Sequence, residues 1–133
     1  MLGGETLMAF IATTHPARAK HFYADVLGLR LVADEDHALV FDAHGTMLRI
    51  QKVQTFTPAQ HTALGWHVGD ITGAVAALRA KGVVLARYPF LEQDETGVWT
   101  APDGGRVAWF KDPDGNVLSL AEVPVLARGR AVS

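Results

Sequence analysis

The sequence predicts an α+β fold built from two successive βαβββ modules. Its apolar residues recur at strand and then helix spacing in the order strand, helix, three strands, and that order appears twice. A segment likeness supports the duplication. GTMLRIQKV from Gly45 lies over GNVLSLAEV from Gly115, sharing Gly, Leu and Val and matching apolar residues at Met47/Val117 and Ile50/Leu120. The first strands align too, Met8 on Ala63 and His15 on Asp70, at one constant offset, which an internal repeat explains most economically.

In the first module, residues 5–54, Thr6 to Thr13 reads as a strand that stops at His15-Pro16, where proline suits the first position of a helix. Ala19, Phe22, Tyr23, Val26 and Leu27 give that helix one apolar stripe, and Gly28 can end it in the left-handed conformation. Strands are then expected over 29–33, 38–42 and 46–53, with Asp42-Ala43-His44-Gly45 as a hairpin turn. The second module, residues 62–124, repeats the pattern. A strand over 63–68 precedes a helix over 71–81 with Ile71, Ala74, Val75 and Leu78 on one side and Gly82 as its cap. Strands are expected over 83–88, 106–110 and 117–123, with Asp112-Pro113-Asp114-Gly115 turning between the last two. The loop over 89–105 is long for so small a domain, a common property of functional loops, and residues 125–133 read as a tail.

The 133 residues carry 12 Lys plus Arg against 14 Asp plus Glu, are 49% hydrophobic and include no cysteine. This describes a single domain able to bury its own core. The missing cysteines exclude a disulfide scaffold, a thiolate metal site and a cysteine nucleophile, and they fit a reducing compartment. A net charge of -2 with scattered basic residues argues against a nucleic-acid partner. No apolar run approaches membrane-spanning length, and MLGGE at the start lacks the regions of a signal peptide. The cytoplasm is the expected location. The sequence shows no nucleophile elbow, phosphate loop or dinucleotide fingerprint, and no catalytic residue is assigned.

Three motifs together carry a resemblance: FYADVLGL from Phe22, WHVGDITGAVAALRAKGV from Trp66 and FKDPDGNVLSL from Phe110. In this order and spacing the chain resembles the vicinal oxygen chelate superfamily, the glyoxalase, bleomycin-resistance and extradiol-dioxygenase group, over residues 5–123. The resemblance implies that the modules form a curved mixed sheet enclosing a ligand cup, and that the protein is a homodimer. It does not fix an activity, because isomerases, dioxygenases, transferases and plain drug-binding proteins share this scaffold.

Metal-dependent members place His, Gln or Glu on the first and fourth strand of each module. The matching positions here are Met8, Arg49, Ala63 and Ser119. A thioether is soft and neutral, alanine has no donor, and arginine keeps its proton and repels a cation, so the family's shared divalent site is not expected. By strand parity, His67, Arg49, Ser119, Met8 and Phe10 should face the cup. Arg49 reads equally as an anchor for an anionic or aromatic ligand and as the partner of a local acid. His67 reads as a ligand contact, a general base or an interior histidine. Trp99 and Trp109 read as cup walls or core; parity alone allows either Val107 and Trp109 or Ala108 and Phe110 to face inward, and the resemblance, in which the position of Phe110 packs beneath a helix, implies Trp109 inward.

Two functions follow from different classes. The first is a metal-free protein that binds a small, partly aromatic organic molecule in the cup, with no cofactor. The alternative is a metal-dependent lyase, isomerase or dioxygenase with a displaced site, in which His67, Glu122 or a loop carboxylate supplies the ligands.

Overall fold

The structure, a computed structural model, describes residues 1–124. The expected tail over 125–133 lies outside the described residues. The chain divides into two compact units: residues 1–58 with 112–116, and residues 59–111 with the segment from Val117 onward. Each contains a mixed four-stranded sheet, and together they give the expected α+β fold of two βαβββ-like modules.

In the first unit the strand order is β1-β4-β3-β2, formed by Met8–Thr13, Thr46–Lys52, Ala38–Ala43 and Arg30–Asp34. β1 runs parallel to β4, while β3 pairs antiparallel with β4 and β2. The β3-β4 connection turns at His44 and Gly45, both at positive φ (51° and 94°), the twist a two-residue hairpin needs. Helix α1 begins at Pro16 behind His15 and runs Pro16–His21. It then loosens into one π-helical turn, Phe22–Val26, in which the Leu27 amide donates to the Phe22 carbonyl at 2.9 Å. Gly28, at φ 77°, ends it. This helix presents Ala19, Phe22 and Tyr23 as its buried side chains, and the buried sheet residues Ile11, Leu39, Phe41, Leu48 and Ile50 complete the core.

The turn over 112–116 belongs to this unit. Asp112 accepts hydrogen bonds from the Tyr23 hydroxyl (2.6 Å) and from the amides of Asp114 and Asn116 (both 2.9 Å). Asp114 accepts from the hydroxyls of Thr13 and Thr14 and from the Thr14 amide, and the Asn116 side chain donates to the Ala12 carbonyl at 3.0 Å.

In the second unit the order is β5-β8-β7-β6, formed by Thr62–His67, Val117–Glu122, Arg106–Lys111 and Trp99–Thr100. Helix α2, Ile71–Ala80, is capped by Asp70, whose carboxylate accepts from the Gly73 amide at 3.2 Å, and by Glu122, which accepts from the Ile71 amide at 2.9 Å. Its buried Ile71, Val75 and Leu78 lie over β7 and β8, where Ala108, Phe110, Leu118 and Leu120 are buried. No described helix is long and apolar enough to cross a membrane.

One expected element does not form. Residues 83–88 are not a strand, and the edge beside β7 is taken by Trp99–Thr100. The Ala86 amide still donates to the Trp109 carbonyl at 2.7 Å, and the Val83 amide donates back to the Leu78 carbonyl at 3.0 Å, while the Tyr88 amide and the Ala86 carbonyl are tied by a side chain. Gln93 accepts from the Tyr88 amide (2.7 Å) and donates to the carbonyls of Ala86 (2.9 Å) and Gly97 (2.8 Å). An amide side chain thus does locally what a ladder would have done, and the apolar composition of 83–88 gives no sign of it.

Candidate functional site

The sheet of the second unit has a helix-covered face and an open one, and strand register sorts side chains between them. Cross-strand rows on the open face run Thr62, Val117, Lys111; Gly65, Ser119, Trp109; and His67, Ala121, Val107, Trp99. A bulge between Thr62 and Leu64 shifts the register at Ala63 without changing which face Gly65 and His67 share. Trp109 therefore stands on the open side while its neighbours Ala108 and Phe110 are buried under α2.

Aromatic rings collect on that face. Trp99 and Trp109 lie 6.1 Å apart at 37°, Tyr88 meets Trp109 edge-on at 5.5 Å and 86°, and Phe90 follows Tyr88 at 5.6 Å and 38°. These spacings lie in the range where aromatic pairs attract, so the rings brace one another. Phe90 is 79% exposed, a large apolar ring presented to solvent. Tyr88, Phe90, Leu91, Trp109 and Val117 line a cavity of about 270 Å³ whose polar edge is Gln60, His61 and Thr62.

The supporting loop is held by two side chains. Gln93 fixes the backbone at Tyr88 as described, and Asp94 accepts from the Thr96 hydroxyl (2.7 Å) and amide (2.9 Å) and from the Val98 amide (3.0 Å). Those bonds, the Thr96 hydroxyl first, hold the Asp94 carboxyl below its ordinary range.

Of the residues singled out in the sequence, Trp99, Trp109, Ser119 and His67 share this face. His67 is exposed, so it is not an interior histidine. Ser119 is buried at the centre of the sheet, and a Cβ added at Gly65 would lie 2.9 Å from its hydroxyl oxygen, so glycine is what keeps the floor beside Ser119 low. Met8, Phe10 and Arg49 lie in the first unit. Met8 and Phe10 are 43% and 51% exposed on its open sheet face, and Met8 lines a cavity of about 480 Å³ with Val32, Met47, Arg30 and Asp42. Arg49 shares that face but donates to Glu35 at 3.2 Å, so of its two readings the pairing with a local acid is the one formed. Tyr88, Phe90 and Gln93 were not singled out. The signal that pointed nearest was the length of the 89–105 loop.

The metal that the fold family uses can be tested against these residues. The positions named above hold a thioether, a methyl, a guanidinium engaged by Glu35 and a hydroxyl, a poor donor set for a divalent cation. Among the described residues, no three His, Asp or Glu side chains converge. Glu122, offered as a displaced ligand, stands on the helix-covered face opposite His67, accepts from the Ile71 amide and lies 3.8 Å from Arg106. The residues do not fit the group.

The family profile described as "Glyoxalase/Bleomycin resistance protein/Dioxygenase superfamily" matches residues 6–120. No curated protein sequence matches significantly. Among solved structures, an antibiotic binding protein, TnmS3, from Streptomyces sp. CB03234 is 26% identical with a TM-score of 0.67, covering 92% of this chain and 98% of that one. A member of the same superfamily from Sphaerobacter thermophilus DSM 20745 is 23% identical with a TM-score of 0.72, over 92% and 100% of the two chains. A lactoylglutathione lyase from Agrobacterium tumefaciens is 17% identical with a TM-score of 0.71, over 90% and 95%.

Proposed function

Since the chain belongs to the Glyoxalase/Bleomycin resistance protein/Dioxygenase superfamily, we propose that it is a metal-free binding protein for a small, partly aromatic organic molecule. The open face of the second unit is its receiving surface. The observation that carries this reading is the braced ring series Trp99, Trp109, Tyr88 and Phe90 beside a cavity, on a scaffold whose ligand positions hold non-ligating side chains. Trp109 and Trp99 act as walls, Ser119 and His67 as polar contacts on the same face, and Met8, Phe10 and Arg49 as the corresponding surface of the first unit. The likeness to an antibiotic binding protein supports the class of guest without naming one. We place the protein in the cytoplasm as a homodimer.

The test is a titration of the protein, dialysed against EDTA, with a hydroxymethyl anthraquinone, followed by tryptophan fluorescence. Saturable quenching that is unchanged by added zinc, nickel or manganese is the expected result. Trp109→Ala should weaken it by at least about tenfold, as for a central aromatic contact, with the far-ultraviolet circular dichroism retained. Binding that appears only when one of those metals is restored would replace this reading with the metal-dependent one.

A further inference from the structure

We infer that the second-unit cavity takes a flat aromatic guest whose edge carries an anionic oxygen, a carboxylate or a phenolate; this deepens the reading above and rests on it. Three observations lead there. The corner between Trp109 and Tyr88, with ring planes at 86°, offers one face for stacking and one edge against the guest's rim. No aspartate or glutamate lines this cavity, and its polar edge, Gln60, His61 and Thr62, can donate hydrogen bonds from every side chain. Lys111 stands in one cross-strand row with Thr62 and Val117, both of which line the cavity, and on the same face as Trp109.

Lys111 is exposed, and no acid among the described residues pairs with it. Its chain neighbour Asp112 is engaged by Tyr23 and Asn116. Of the acids nearest in chain order to the cavity's ring residues, Glu92 is not among those lining it, and Asp94 is engaged with the Thr96 and Val98 amides. An ammonium without a partner, in the row that leads through Val117 to Thr62, with no carboxylate among the residues lining the cavity, favours an anion at that rim and disfavours a cation.

Three probes of one ring system test this: anthraquinone carboxylate, hydroxymethyl anthraquinone and aminomethyl anthraquinone, all substituted at the same carbon. Each is titrated against tryptophan fluorescence at low and high salt. The carboxylate should bind about fivefold tighter than the hydroxymethyl probe and the amine should bind weakest, the size expected of a partly exposed charge pair. Salt should shrink that order. Lys111→Met should erase the preference for the carboxylate, and Lys111→Arg should keep it. Equal binding of the three probes, or a preference that survives Lys111→Met, overturns the anionic guest while leaving the binding function standing. Failure of all three to bind overturns both.

Discussion

Tyr23 is fully buried, and its hydroxyl donates to a carboxylate that is itself buried. Burial, and after it the charge and hydrogen bond of Asp112 and the charge of Asp114, raise the Tyr23 hydroxyl far above its ordinary value of 10.0. The sign follows from linkage. The folded state keeps a proton that the unfolded chain releases, so this contribution is complete below pH 10 and declines as pH rises beyond it. Urea unfolding followed at a series of pH values should show that alkaline decline in the wild type and a shallower one in Tyr23→Phe. The variant should also lose about 1–3 kcal/mol at neutral pH, because Asp112 is left short of a donor in a buried place. Equal stability of the two proteins at pH 7 would contradict the role given to this bond.

At the scale of elements, the 86–98 loop depends on Gln93 in the way an edge strand depends on its ladder. Gln93→Ala removes three hydrogen bonds from the backbone that carries Tyr88. Amide exchange over 86–98 should accelerate by about tenfold or more, since local opening sets that rate. The affinity for an anthraquinone probe should fall with it, whereas exchange in α2 should not change. This loop also marks the limit of what the sequence discloses. Helices over 16–27 and 71–81 were legible because their apolar residues fall at helical spacing between a proline or aspartate start and a glycine stop. The strands around 8, 38, 46, 62, 106 and 117 were legible from alternation and turn residues, but parity left Trp109 open between the two faces, and only the resemblance, which packs the position of Phe110 beneath a helix, favoured it inward. Residues 83–88 are as apolar as a strand, but their state was decided by a glutamine downstream and by competition with Trp99–Thr100 for one edge, both tertiary facts. Phe90 and Tyr88 joined the candidate site for the same reason. Their side chains reach Trp109 only because the loop folds back.

For the whole molecule, the proposed homodimer predicts a mass of twice the 14.3 kDa of one chain by light scattering at micromolar concentration. A single-chain mass would contradict it. The sheets support the expectation physically, because β1 and β2 in one and β5 and β6 in the other are edge strands, and such edges are usually covered or blunted. A further prediction concerns the division of the chain. A fragment of residues 1–58 contains every strand of the first sheet but lacks Asp112, Asp114 and Asn116. Thr13, Thr14 and Tyr23 would lose their partners, and the fragment should show no cooperative thermal transition by circular dichroism.

That discontinuity also sets an order of events during synthesis. Residues 1–58 leave the ribosome long before residues 112–116 are translated, so while the intervening codons are read their hydroxyls and their tyrosine wait for acids not yet made. The first unit therefore cannot complete its hydrogen bonds until the codons for residues 112–116 have been read, after most of the second unit's first stretch, residues 59–111, has been made.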